Sequence, residues 1–357
     1  MLEVAHEIEP LAPEWDTLAD RLLAPPFLRP GWIAAWWRAF GSGPLEIFAL
    51  RQGGQLLGLL PLLRSRRALL SPTNWHTPGF GLLSEATASP GFVQQVLLGS
   101  VGARRVSLAF LDPSTERLGA WTAEAEARGF RVLTRTLARS AWVEIETDWG
   151  DYERGLGRNF RSNLRRCLRR LQEAGQVSFE LLDGRDGLDS LLTEGFAIES
   201  AGWKAAGGTA IVSRAETEGF YREVAAWAAQ RGWLRLAFLR LDGRALAFEF
   251  AIEEGGVYYA LKSGFDPAYR AFSPGTLLIH RTIEQAFSLG LNRYTLGKVE
   301  TYKLAWANAF GELALFQAFA PSAAGLVDWA AFRYGRPLAR RTLMAVERRR
   351  AGAPGRA

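Results

Sequence analysis

The segment VYYALKSGFDPAYRAFSPGTLLIHRTIEQAFSLG, residues Val257–Gly290, combines an aromatic and β-branched strand, a polar loop and an apolar-striped helix. Val257–Gly264 has strand composition, and the helix runs Pro274–Leu289. Pro274 sits where a first-turn proline loses no hydrogen bond, and Gly290 ends the helix. A strand that enters a helix through small residues presents backbone N–H groups at a positive dipole end. Such a helix start accommodates a pyrophosphate. The loop reads Arg270-Ala-Phe-Ser273-Pro274-Gly275-Thr276. Ser273 is the expected N-cap, Gly275 permits close approach to the backbone, and Thr276 offers a hydroxyl. On spacing alone the plainer reading leads, that of a well-capped helix after a long β–α loop.

Upstream lie strands at Leu234–Leu241 and Ala245–Glu253, with Asp242-Gly243 as the hairpin turn and Glu254-Gly255-Gly256 as the next connection. Before them come a helix at Gly187–Ser200, a loop at Ala201–Ser213 and a helix at Ala215–Arg231. Downstream are a strand at Arg293–Leu296, a helix at Thr301–Ala307 and a strand at Leu313–Ala318. A basic helical tail follows, from about Ala323 to Arg350. The first half reads as helices at Trp15–Leu23, Gly31–Phe40 and Leu118–Arg128. Its strands are Leu45–Arg51, Leu56–Leu63, Val106–Leu111, Phe130–Thr136 and Ala141–Ile145, with a turn-rich loop at Pro72–Leu83. One helix, Tyr152–Ala174, bridges the halves. Alternating helices and strands indicate an α/β or α+β fold.

A chain of 357 residues exceeds the size at which one core stops growing, so two domains are expected. Its single cysteine, Cys167, excludes an internal disulfide and a cysteine metal cluster, and points to a reducing compartment. His6 and His76 are isolated, and no metal is expected. No secretory signal is visible, and no apolar run reaches the ~20 residues of a membrane-spanning helix. A cytoplasmic protein without an integral membrane span is expected. The net charge of +6 is carried by arginine, because lysine occurs only at 204, 262, 298 and 303. A lysine kept in an arginine-rich chain suits a site that needs a compact ammonium.

The loop from Arg270 to Gly275 resembles the acyl-CoA pyrophosphate loop of the GNAT superfamily, (Gln/Arg)-x-x-Gly-x-(Gly/Ala). Ser273 stands at the first glycine. Residues 152–308 further resemble the CelD-like acetyltransferases associated with cellulose biosynthesis. The matching pieces are the arginine helix Asn159–Arg170, Glu199 with Trp203-Lys204, Phe220-Tyr221, Ser273-Pro274-Gly275, and Glu300-Thr-Tyr302-Lys303 with Trp306. The first half resembles that branch's N-terminal region through Pro26-Phe27, Trp32, Trp36-Trp37 and Gly58-Leu-Leu-Pro61-Leu62. More distantly, the chain is similar to the peptidoglycan peptidyltransferases, in which two GNAT-like folds lie in tandem and the donor is aminoacyl-tRNA. The branch's aspartate in the strand after the donor helix is replaced here by Thr295.

The resemblance implies two tandem GNAT-like domains, each a mixed twisted sheet flanked by helices. They would comprise a degenerate domain over 1–150, a catalytic domain over 151–320 and a basic tail over 321–357. The reaction implied is attack of an amine on a thioester, with acyl-CoA, read as acetyl-CoA, as co-substrate. The acceptor would be a small amine, such as an amino sugar or an envelope or polysaccharide precursor. Arg270, Ser273, Gly275 and Thr276 would hold the donor, and the strand before the loop would give an N–H to the carbonyl. Tyr302 is the expected general acid, with Glu300 beside it.

Glu249 interrupts an apolar strand and shares a face with Ala245, Ala247, Ala251 and Glu253 by alternation. It is a catalytic carboxylate or else an edge or solvent-facing one. Glu199, Trp203, Lys204, Lys262 and Lys303 form the expected substrate-binding set, though a Lys303–Glu300 pair one turn apart is the structural alternative. His280 in the donor helix reads as packed. Arg158, Arg161, Arg165 and Arg169 share one helix face, either merely solvated or binding an anion such as the CoA phosphate, an acceptor or RNA. Arg161 and Arg165 join the substrate set on that reading. The rival readings are an aminoacyl-tRNA-dependent transferase and a non-catalytic polyanion-binding scaffold.

Overall fold

The computed structural model describes residues 1–335 apart from 87, 89, 90 and 202–209. Within them, 13 strands form one mixed sheet. The first half supplies β1 (Leu2–Ala5), β2 (Leu45–Gln52), β3 (Gln55–Ser65), β4 (Ala68–Leu70), β5 (Leu83–Ser84), β6 (Arg105–Leu111) and β7 (Arg131–Glu144). The second supplies β8 (Val177–Leu182), β9 (Leu234–Leu241), β10 (Arg244–Glu254), β11 (Val257–Phe265), β12 (Arg293–Lys298) and β13 (Ala309–Phe319). Their order is β1-β2-β3-β4-β6-β13-β7-β12-β11-β10-β9-β8, with β5 paired to β3. The final strand, β13, lies between β6 and β7, and β7 in turn pairs with β12. The sheet therefore runs unbroken from one half of the chain into the other.

The β9–β10 hairpin turns on Asp242 and Gly243, both with positive φ (48° and 80°), the twist that a two-residue hairpin needs. Several elements differ from the sequence reading. The two strands expected at 130–145 are a single 14-residue strand, whose bend is taken up by register shifts against β12 and β13. The bridging helix is two, α5 (Trp149–Gly155) and α6 (Arg158–Ala174), because Leu156 and Gly157 are extended. The helix expected after residue 300 is only a 3₁₀ turn, Thr301–Ala305. The short elements β1, β4 and α3 (Phe92–Gly99) carry too few residues for a legible period, whereas the helix expected from Leu118 forms as α4 (Leu118–Ala127). Of the basic tail, Ala323–Ala330 is helical, and 336–357 lie outside the described residues.

Two helices of the first half, α1 (Ala12–Arg21) and α2 (Pro30–Phe40), pack on one face of the sheet with α7 (Leu188–Ser200) and α8 (Ala215–Gln230). Trp32 meets Phe220 edge-on at 5.2 Å. A Cβ at Gly31 would lie 2.1 Å from the Trp227 indole, so only glycine lets α2 approach α8 this closely. Phe220, Phe248 and Phe250 are fully buried there, each contributing roughly 1.5–3 kcal/mol. Arg29, also buried, ties the halves together through Asp20 and Glu254, the latter at 2.9 Å. On the opposite face, α5, α6 and α9 (Pro274–Ser288) cover β9–β12.

One buried carboxyl gives a stability prediction. Glu116 lies under the loop at Gly81–Leu82 and accepts the Leu82 N–H at 3.0 Å. Burial raises its pKa from the usual 4.5 to about 8. Its contribution is thus most favourable below pH ~4.5, declines as pH rises toward 8, and is constant above. Glu116→Gln keeps the acceptor and removes the ionisation. Relative to wild type it is expected to gain on the order of 1–3 kcal/mol between pH 5 and 9, read by denaturant unfolding.

Candidate active site

β11 and β12 pair in parallel only from Val257–Tyr259 against Arg293–Thr295. Beyond these three pairs the strands part, and a cavity of about 600 Å³ opens between Ala260–Phe265 and Leu296–Lys298. Both strands carry the irregularity that bends them. β11 slips against β10 so that Leu261 is unpaired, and β12 slips against β7 at Leu296, followed by Gly297 with φ 72°. The β11 bulge also resets which side chains face which way. Before it, Tyr258 points toward α9 and Tyr259 meets Phe27 edge-on at 5.6 Å. After it, Lys262 lies over Tyr221 at 5.8 Å and Gly264 abuts Glu199 of α7, on the opposite face from α9.

The start of α9 forms one end of this cavity. Ser273 adopts the left-handed conformation (φ 51°, ψ 50°), so serine holds the backbone shape that glycine would take at that position. It occupies the N-cap position, but its side chain makes no capping bond, contrary to expectation. Its carbonyl accepts the Thr276 and Leu277 N–H groups at 3.0 and 3.1 Å, and proline has none to give. Gly275 therefore holds the N–H left over at this helix start among the described residues. Gly275 and Thr276 line the cavity, whereas the exposed Arg270 and the half-buried Ser273 do not.

Glu249 is 2% exposed, and β10 is paired on both sides, which excludes an edge or solvent-facing carboxylate. Ala247 and Ala251 share its face as expected, but a register shift beside Leu246 turns Ala245 to the other. The hydroxyls of Tyr258 and Tyr294 both donate to Glu249 Oε1 at 3.0 Å, and their rings stack at 4.8 Å. Thr282 of α9 completes the cluster, 2.9 Å from the Tyr294 hydroxyl. Burial raises the Glu249 pKa to about 7, against the lowering effect of the two tyrosines, Thr282 and Lys303. A carboxyl balanced near neutrality can both take and hold a proton at physiological pH.

Tyr302, Glu300 and Lys303 enter from the 3₁₀ turn after β12. Half of Tyr302 is exposed, yet its hydroxyl bonds with the Ser263 side chain, and burial of that end raises its pKa further above 10. It stays protonated at neutral pH. Lys303 Nζ donates to the Lys298 carbonyl at 3.0 Å and pairs with Glu300 at 3.4 Å, so the pair expected as the structural alternative forms.

The remaining wall comes partly from the first half. Residues Trp75–Pro78 of the turn-rich loop reach the cavity and stand beside Tyr221 and Lys298. His76 is stacked on Phe40 and lies 3.3 Å from the Tyr221 hydroxyl. Burial first, then the Lys262, Lys298 and Arg214 charges, lower its pKa to about 4, so it is neutral. Glu199 is 1% exposed, lines the same space and accepts the Ile211 N–H at 2.9 Å. Trp203 and Lys204 lie outside the described residues. Three of the four lysines, at 262, 298 and 303, meet in this cavity.

Arg161 and Arg165 do not. With Arg158, Arg166 and Arg169 they line a separate groove along α6, whose other side buries Leu164, Cys167 and Leu171. The helix is nonetheless next to the loop before α9, with the Arg170 guanidinium 5.5 Å from the Phe272 ring. His280 is packed between Trp149 and Trp306 and lies 3.3 Å from Glu153, away from the cavity. Trp75, His76, Tyr258 and Tyr294 went unrecognised in sequence. The one visible signal was a Trp-His pair in a loop rich in turn formers, a place where binding residues concentrate.

No curated protein matches the chain significantly. Among solved structures, FemX superposes with a TM-score of 0.63 at 13% identity, covering 89% of this chain and 98% of that one. The C-terminal domain of a proposed lysylphosphatidylglycerol synthetase from Agrobacterium fabrum gives 0.57 at 14%, with coverage of 91% and 96%. A tandem GNAT protein from the clavulanic acid biosynthesis pathway gives 0.52 at 14%, with coverage of 90% and 100%. These likenesses show the fold. Residues 158–304 match the sequence model of the acetyltransferase (GNAT) domain, which spans α6, the parted strands, the loop before α9 and Tyr302. On a fold shared with tandem GNAT proteins, this chain carries a GNAT acyltransferase domain in its second half.

Proposed function

We propose that the protein transfers an acetyl group from acetyl-CoA to the amine of a small acceptor, such as an amino sugar or a polysaccharide precursor. The observation that carries this reading is the gap between β11 and β12. It has the Gly275 N–H and Thr276 hydroxyl at one end, and Glu249 and Tyr302 reach into it. Gly275, Thr276 and the α9 dipole hold the donor's pyrophosphate. An N–H of β11 polarises the thioester carbonyl as the amine attacks. Glu249 receives the amine proton, directly or through one water, and Tyr302 protonates the departing thiolate. Residues 151–320 supply this chemistry. Residues 1–150 act as a GNAT-like unit without a donor loop, closing the acceptor side through Trp75–Pro78.

Thermal shift with acetyl-CoA, CoA and tRNA, followed by thiol release with a panel of amines, tests the reading. Stabilisation by both CoA species and amine-dependent thiol release are expected, and stabilisation by tRNA alone would overturn it. A companion variant locates the donor. A Cβ at Gly275 would stand 3.2 Å from the Phe265 ring and reach into the cavity. Gly275→Val is therefore expected to weaken acetyl-CoA at least about tenfold in calorimetry, with the cooperative melt retained.

The arginine groove beside the donor loop favours a second reading, in which the donor is aminoacyl-tRNA and α6 tracks its phosphates. Under it, Arg161→Ala with Arg165→Ala weakens tRNA binding and lowers its salt slope by roughly two. Under the acetyl-CoA reading, the double variant leaves thiol release within about twofold of wild type.

A further inference from the structure

Across Ser71–Phe80, Trp75 is the one exposed residue. The turn that carries it is closed by its own hydrogen bonds. The Asn74 side chain accepts the His76 N–H at 2.9 Å, the Asn74 carbonyl accepts the Thr77 N–H at 3.0 Å, and the Thr77 hydroxyl accepts the Asn74 N–H at 3.1 Å. Thr77 is buried, and His76 packs on Phe40 and Tyr221. Trp75 is turned the other way, 67% exposed, and lines the cavity. It enters from the first half of the chain, as the start of α9 enters from the second.

Exposed as it is, the indole is held. Phe110 meets it edge-on with ring centres 5.5 Å apart. The Lys298 ammonium stands 4.6 Å from its centre and donates to the Trp75 carbonyl at 2.8 Å. Phe110 itself has φ 62°, a left-handed conformation rare for a bulky residue, where β6 and β13 slip in register. A large aromatic side chain kept in solvent, on a pinned turn and against a strained support, is a preformed binding surface.

The groups beside the indole select the class of ligand. Ser140 is opposite Lys298 in the β7–β12 pairing, which puts its side chain on the same side of the sheet. It lines the cavity too, and its hydroxyl can both donate and accept. Lys298 has three N–H donors, and the Trp75 carbonyl takes one. A flat, electron-rich apolar face beside hydrogen-bonding groups matches a pyranose, whose C–H face is apolar and whose edge carries hydroxyls. An alkyl amine has no face to lay on the indole, and an aromatic amine offers Ser140 and Lys298 nothing to bind.

We propose that Trp75 is a stacking platform for a sugar ring, so that the acceptor is an amino sugar bound in its closed pyranose form. Its C–H face lies on the indole, its hydroxyls meet Ser140 and Lys298, and its amine faces the donor. The proposal rests on the transferase reading above, in which Trp75–Pro78 close the acceptor side.

The test compares glucosamine with its reduced, open-chain form glucosaminitol, which keeps the amine and its charge but has no ring, and with benzylamine. The full chain is used, with binding read by calorimetry and turnover by thiol release from acetyl-CoA. Glucosamine is expected to bind about tenfold or more tightly than glucosaminitol. Trp75→Ala is expected to remove that preference and leave CoA affinity unchanged, and Trp75→Tyr, which restores a flat ring, to recover part of it. Equal binding of ring and open chain overturns the proposal, as does no binding of either. An equal loss for both in Trp75→Ala, or a Trp75→Tyr no better than Trp75→Ala, overturns it too. Benzylamine bound more tightly than glucosamine would assign the platform to an aromatic acceptor and overturn the sugar assignment. Ring preference without thiol release would leave the platform standing and defeat the transferase reading instead.

Discussion

Tyr302→Phe is expected to lower kcat by about 10²- to 10⁴-fold while the dissociation constant of acetyl-CoA holds. The substitution keeps the ring and deletes the one proton that the thiolate would take. The hydroxyl has the two properties a general acid here needs. It reaches the cavity beside Ser263, and its burial, with Glu300 and Glu249 nearby, keeps the proton on at neutral pH. A loss confined to kcat fits a contact made mainly in the transition state. If chemistry is not rate-limiting, thiol release in a single turnover still reports the step. Release as fast as wild type would remove Tyr302 from that role and turn attention to Glu300.

Glu249→Gln is expected to cost a comparable factor at pH 8 and to abolish the pH dependence that Glu249 creates. With a pKa of about 7, the carboxyl is active as a base only when ionised. Wild-type kcat/KM should therefore fall about tenfold per unit below pH 7 and level off above it. Glutamine still accepts the Tyr258 and Tyr294 hydroxyls, so the fold is retained. Removing either tyrosine hydroxyl deletes a bond that favours the carboxylate, so Tyr258→Phe or Tyr294→Phe should move the limb to higher pH. A variant Glu249→Gln with an unchanged acid limb and turnover would make the cluster purely structural.

The strand–loop–helix of Val257–Gly290 was legible because each part has a local cause: β-branched and aromatic strand residues, a first-turn proline and a terminal glycine. Ser273 was the harder position, because its left-handed backbone is visible only in three dimensions. The faces of β10 and β11 were half legible. Alternation placed Glu249 correctly, yet it could not foresee the slips near Leu246 and Leu261 that turn Ala245 and Lys262. The insertion of β13 between β6 and β7 left no local trace, since pairing partners more than 160 residues apart share no periodicity. For the same reason the place of the Trp75–Pro78 loop in the cavity wall was not legible, although its Trp-His pair was. Its relation to Lys298 exists only once the sheet joins the two halves. The arginine face of α6 was read correctly as a face, but its distance from the cavity was not in the sequence.

The most direct measurement is a crystal structure of the full chain with CoA. The account predicts the pyrophosphate against Gly275 and Thr276, the pantetheine arm between Ala260–Lys262 and Leu296–Gly297, and the thiol within reach of the Tyr302 hydroxyl. CoA seated along the α6 arginines with the β11–β12 gap vacant would contradict it.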